Sequence, residues 1–221
     1  MPTLNLSIFK YPLGFIRVVE FVFIIIATAA VNSWNVSLNY NCPNNSTHKV
    51  EVSTFSLGNA VIEDCKESMS KLWTPDDSAG GSAGFFYFVN VVALIYVLII
   101  IFVYVIFWPL YQSEKRIALG DLAVTTLLFV LFFFCSATWW AASNSISYAT
   151  SDERVTSLMK GNEAFWKQNE ENLSLLMSAN NGKLVVSVLS DWVCVFTFAL
   201  NCWFIWKEVV PRHSQDPSQI A

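Results

Sequence analysis

Four long apolar runs constrain this chain more than any other feature. They cover roughly Phe15–Trp34, Phe85–Trp108, Leu122–Ala142 and Leu184–Trp206. Each holds about 20 residues or more, the length a helix rising 1.5 Å per residue needs to cross a hydrocarbon core of about 30 Å. A soluble chain of 221 residues does not carry four such runs. The fold expected is an all-α membrane protein, a four-helix transmembrane bundle. Residues 1–208 form one four-span domain with long loops at 35–84 and 143–183, and 209–221 form a short polar tail.

Composition agrees. Phe 18, Trp 9 and only 14 % charged residues are membrane usage, not the basic make-up of a nucleic-acid binder. The first run is too long for a signal-peptide h-region and contains Arg17 and Glu20, so it is expected to stay as the first helix. Orientation follows from the short segments, because long loops translocate whatever their charge. Lys10, Arg17, Lys115, Arg116, Lys207 and Arg212 all fall on one side if the chain crosses four times. That side is the cytoplasm, which puts both termini there and both long loops in the lumen or outside the cell. Trp34, Trp108, Trp139, Trp140, Trp203 and Trp206 stand at run ends, where an amphipathic ring prefers the interface.

Cys42 and Cys65 are alone in the first long loop, so a disulfide between them is expected in an oxidising compartment. Cys135, Cys194 and Cys202 lie within runs and read as packing residues, with acylation of Cys202 the minor alternative. Sequons begin at Asn35, Asn44, Asn45 and Asn172 on the lumenal side, and at Asn5 on the other. In the first loop, Trp34 to Cys42 and Lys49 to Phe55 alternate with period two, which predicts a hairpin and a small lumenal β-sheet. Asp76 to Gly84, rich in Gly and Ser, reads as a flexible re-entry segment. In the second loop Thr150 and Glu153 suggest a capping box. Val155, Leu158, Met159, Phe165, Trp166, Leu173, Leu176 and Met177 fall near helical spacing. An amphipathic helix, broken near Gly161 into a pair, is expected there, covering the bundle or docking another protein.

No catalytic or metal constellation is visible. His48 and His213 fall on opposite sides of the membrane, and no Walker loop, GxGxxG or HExxH is present. No enzyme activity, metal or cofactor is expected. Polar residues inside the spans need another account, since charge in hydrocarbon is costly unless paired or hydrated. Arg17 and Glu20, three apart on the first helix, are expected to pair, with Asp121 at the same depth on the third. Asp191 lies about two turns into the fourth helix. Counting inward places Asn90, Ser136, Thr138 and Thr28 at similar depth. These form an expected intramembrane polar layer with Asp191 hydrogen-bonded or protonated, acting as helix–helix glue or lining an ion or proton pathway.

Several segments resemble one family. Pro12-Leu13-Gly14-Phe15-Ile16-Arg17-Val18 opening the first span is similar to the synaptophysin signature. Cys42-Pro43-Asn44-Asn45-Ser46 is similar to that family's lumenal cysteine and glycosylated sequon, which maps the sugar to Asn44. Asp121-Leu122-Ala123, the stretch Ser143 to Thr150, and Asn201-Cys202-Trp203-Phe204-Ile205-Trp206-Lys207-Glu208 also match. The chain thus resembles the synaptophysin/synaptoporin family of MARVEL-domain tetraspan vesicle membrane proteins from about Tyr11 to Glu208. The resemblance implies a non-enzymatic role in synaptic or secretory vesicle membranes, in trafficking, exocytosis and recycling. It also implies cholesterol-rich lipid, a synaptobrevin-type fusion protein and the vacuolar proton pump as partners, with homo-oligomers and no nucleic acid. Two departures stand out: the second long loop holds no cysteine pair, and no long Tyr/Gly/Pro-rich tail follows the fourth span. The alternatives are a channel or pore, suggested by Asp191, and a claudin-like junctional barrier, whose Trp…Gly-Leu-Trp…Cys…Cys arrangement the first loop lacks.

Overall fold

A computed structural model describes residues 6–42, 47–66, 68–162, 165 and 175–209. Among the described residues six helices follow one another: α1 (Pro12–Asn32), α2 (Gly80–Ile106), α3 (Trp108–Ser113), α4 (Lys115–Ala149), α5 (Asp152–Lys160) and α6 (Asn181–Val209). Helices α1, α2, α4 and α6 are long and apolar enough to cross a membrane. The protein is a multi-pass membrane bundle with a small sheet, the fold class its hydropathy predicts. The chain divides into two compact units, residues 1–29, 86–137 and 187–221 in the first and 30–85 with 138–186 in the second.

In the first unit the helices begin and break where the sequence dictates. Pro12 occupies the first position of α1, where its missing N–H costs nothing. Gly14 lies against the preceding 3-10 turn, Leu6–Lys10. A Cβ there would sit 2.5 Å from the carbonyl oxygen of Ile8, so only glycine admits this approach. Pro109 has no N–H to continue α2, and the chain turns at Phe107 into the short α3. Backbone bonds from Phe107 to Val103 and from Tyr111 to Phe107 carry order through the break. The expected loop between the second and third spans is therefore mostly helical, and α4 begins at Lys115 rather than near Leu122. With 35 residues α4 is about 52 Å long. Ile8, Leu13, Ile100, Tyr104, Tyr111, Ala118 and Ile205 pack into one buried cluster. Further along, the rings of Phe132 and Phe198 stack at 5.2 Å.

The second unit carries the strands β1 (Val36–Asn41), β2 (Thr47–Val52), β3 (Val61–Glu63), β4 (Met69–Lys71) and β5 (Leu175–Ala179). A three-stranded antiparallel sheet has the order β2-β1-β5, and β3 pairs with β4 separately. Val36 faces Val52 and Ala179, and Leu38 faces Val50 and Met177. Val36, Leu38 and Tyr40 point into the core and are buried, as their period of two requires. Cys42 and Cys65 are joined by a disulfide.

Four local expectations are corrected here. Leu176 and Met177, expected on a helix, lie in a strand, 175–179, on the free side of β1; among the described residues of this loop Asp152–Lys160 is helical, and Trp166 and Leu173 lie outside the described residues. Ser151, not Thr150, caps α5, accepting from the Arg154 amide, while Thr150 donates to the Ile146 carbonyl and closes α4. The stretch from Asp76 to Gly84 is ordered. Thr74 donates its amide (2.9 Å) and hydroxyl (2.7 Å) to Asp77, which also receives Arg154, and α2 starts at Gly80. Trp34 and Trp139 are core rings rather than interfacial ones. Trp34 stacks on Phe55 at 4.9 Å, Phe55 meets Trp139 edge-on, and Trp34 donates to Asn181. Trp140, Trp203 and Trp206 remain exposed, as rings at a lipid interface do.

Candidate functional site

The first unit contains two buried polar sites of opposite construction. At the first, Arg17 of α1 donates to Glu20 at 2.9 Å and to Asp121 of α4 at 2.8 Å. All three side chains are buried, so the pairing expected from their depth is realised in the interior. Further partners complete the cluster. Asp121 Oδ1 also accepts from Tyr96 and from Thr125 at 3.0 Å, and its Oδ2 accepts from Tyr104 at 2.6 Å and Tyr111 at 2.7 Å. Glu20 Oε1 accepts from Asn201 of α6 at 2.7 Å. The guanidinium lies over the rings of Tyr96 and Phe198, 5.2 and 5.8 Å from their centroids.

Every α-helix described in this unit contributes to that cluster: α1, α2, α3, α4 and α6. Charge-assisted bonds are stronger than neutral ones, and a guanidinium serves two carboxylates in a fixed fork. The arrangement fixes the register of five helices around one cation. It presents no nucleophile–base pair, and its carboxylate oxygens are occupied by internal donors. One signal in the sequence points to it: Tyr96, Tyr104 and Tyr111 recur at about two-turn intervals.

The second site surrounds Asp191 on α6, which is fully buried. Asn90 Nδ2 donates to its Oδ1 at 3.3 Å and also to the Phe86 carbonyl at 3.0 Å. The Cys135 thiol points at Oδ2 from 3.8 Å. Asn90 and Asp191 therefore do meet. The rest of the expected layer does not close around them. Thr28 donates to the Ile24 carbonyl of its own helix at 2.9 Å, and Thr138 is exposed. A threonine whose hydroxyl finds the carbonyl one turn back has no need of a distant partner. Ser136 is buried, but its hydroxyl has no hydrogen-bond partner, and neither does Asn90 Oδ1. Cys135, absent from the expected layer, takes the place assigned to the threonines.

In the second unit, the disulfide anchors the β3–β4 turn near β1. Asp64 in that turn accepts from the Ser68 and Ser70 hydroxyls, each at 2.6 Å, and from the amides of Ser68 and Lys66. These bonds, the serine hydroxyls foremost, hold its carboxyl well below the usual carboxylate range. The Tyr40 phenol donates to the Glu63 carbonyl, and burial, with Glu63 and Asp64 nearby, pushes it up to about 12. Asn35 is tied to Asn180 through both side chain, at 2.6 Å, and backbone. The sequon at Asn44 lies outside the described residues, as do those at Asn5 and Asn172. Among the described residues no group of three or more His, Cys, Asp or Glu side chains is placed to hold a metal.

Four apolar helices, a closed intramembrane ion cluster and a disulfide-bonded small sheet define a multi-pass protein of the membrane-associating class. Residues 9–204 match the MARVEL membrane-associating domain, and the chain belongs to that family.

Proposed function

We infer that this protein is a non-enzymatic component of synaptic or secretory vesicle membranes, organising other vesicle proteins during trafficking, exocytosis and recycling. The observation that carries the reading is the MARVEL match across nearly the whole chain together with the synaptophysin-like segments quoted above. The interior agrees with such a role. Its largest polar cluster spends its bonds on holding helices together, which suits a scaffold that presents fixed outer faces to lipid and partners. Both termini face the cytoplasm, Asn44 bears a lumenal sugar, and the protein forms homo-oligomers in cholesterol-containing membrane. Its partners are a synaptobrevin-type fusion protein and the vacuolar proton pump.

The test is purification of the tagged full chain from secretory cells in mild detergent, with co-purifying proteins identified and the chain's location imaged. Vesicular puncta and recovery of the fusion protein or the pump support the organiser. Staining confined to cell junctions, with neither partner recovered, refutes it.

A further inference from the structure

The two buried aspartates of the first unit, Asp121 and Asp191, are built differently, and the difference has chemical consequences. Asp121 is surrounded by short donors, among them a guanidinium at 2.8 Å and two phenols at 2.6 and 2.7 Å. It is a site made for an anion. Asp191 receives one amide at 3.3 Å and one thiol, a weak donor, at 3.8 Å. No lysine, arginine or histidine among the described residues bonds to it. Arg17 is spent on Glu20 and Asp121. Asn201, which meets Glu20, stands ten residues further along α6 than Asp191, a rise of about 15 Å. The titratable groups facing Asp191 are the thiols of Cys135 on α4 and Cys194 on α6, neither of them a cation.

A bare carboxylate so placed lacks the compensation that burial demands. An unused acceptor stands beside it. The Asn90 amide cannot be turned around, since Nδ2 already faces two acceptors, the Phe86 carbonyl and Asp191 Oδ1. Its Oδ1 is therefore left over, without a partner, on a side chain 1 % exposed. A surplus amide oxygen next to an uncompensated carboxylate is the oxygen-donor set that a small hard cation or a proton satisfies.

We propose that Asp191 and Asn90 form an intramembrane binding site for one monovalent positive charge, a proton or Na+, held between the Asp191 carboxylate and Asn90 Oδ1. A proton on Asp191 gives Asn90 Oδ1 the donor it lacks; Na+ bridges the same two oxygens. Bond making is limited to proton or ion exchange, with no redox step. Ser136, one position beyond Cys135 on α4, is also buried, and its hydroxyl has no hydrogen-bond partner.

The experiment uses the full chain in lipid nanodiscs with 13C-labelled aspartate side chains, compared by infrared spectroscopy in choline chloride and in NaCl. A carboxylic-acid C=O stretch in the wild type, unchanged by Na+ and absent from Asp191→Asn, identifies a proton. An ionised-carboxylate stretch that shifts with Na+ in the wild type but not in the variant identifies Na+. A carboxylate band indifferent to both salts overturns the site. Should Asp191→Asn fail to fold, Asn90→Leu carries the test. It moves the acid stretch to higher frequency, or weakens the Na+ response about tenfold; an unaltered spectrum and Na+ response also overturn the proposal.

Discussion

Replacing Arg17 by leucine should be the most damaging single change in the first unit. The guanidinium is fully buried and is the only cation among the described residues bonded to Glu20 and Asp121. Its loss leaves two carboxylates facing each other in the interior. Breaking a buried pair by removing one partner costs about 3–5 kcal/mol, most of it the penalty of the abandoned charge. At about 1.4 kcal/mol per decade, the folded-to-unfolded ratio falls on the order of 10²- to nearly 10⁴-fold. Arg17→Lys should recover only part of this, since an ammonium lacks the fork that spans both carboxylates. The double variant Arg17→Leu/Asp121→Leu should be less damaged than the sum of its parts, with a coupling of about 0.5–3 kcal/mol. Reversible unfolding of the purified chain in mixed detergent micelles, followed by tryptophan fluorescence, reads these three and the single variant Asp121→Leu that completes the cycle. A loss below about 1 kcal/mol for Arg17→Leu, or strict additivity in the double variant, refutes the reasoning.

Three further perturbations test other parts of the molecule. Cys42→Ser opens a closed loop whose ends are 23 residues apart, worth about 3 kcal/mol in the chain-entropy account, and should lower the melting temperature and abolish the mobility shift on reduction. Gly14→Ala drives a methyl into the Ile8 carbonyl and should cost about 1–3 kcal/mol of overpacking, read as a lowered melting temperature; an unchanged one would show that the N-terminal turn yields freely. The depressed Asp64 carboxyl contributes stability that is fully present above its ordinary unfolded value of about 3.9 and is lost as pH falls from there through its lower folded value. Ser68→Ala with Ser70→Ala should therefore raise that titration toward the ordinary value, as followed by carboxyl NMR, and flatten the acid limb of the stability curve.

The long helices were legible because hydrocarbon imposes a length and a composition that few other settings select, and the β1–β2 hairpin because its alternation extends over several residues on each side. Leu175–Ala179 was not. Five residues of Leu-Leu-Met-Ser-Ala fit either a strand or a turn of helix, and what decides is the free side of β1 more than 130 positions earlier in the chain. The ends of α4 were missed for a related reason. Lys115 to Asp121 and Ser143 to Ala149 are too polar to register as membrane sequence, yet they continue the helix. Arg17, Glu20 and Asp121 could be grouped by depth alone, whereas their phenolic and amide donors could not be assigned without knowing which face of each helix turns inward. For the same reason depth alone does not show that Thr28 bonds within its own helix or that Thr138 is exposed: depth follows from counting residues, azimuth does not.

The central position of β1 bears on how the molecule is made. Its first neighbour, β2, emerges from the ribosome almost at once, but its second, β5, is encoded after α4 and α5. During synthesis the hairpin must wait with one side of β1 bare. Such an unmated strand invites pairing with any nascent chain close by. Quality-control factors that shield exposed strands should thus engage this protein late, and truncations ending before residue 175 should be retained and degraded even when the preceding spans have inserted correctly.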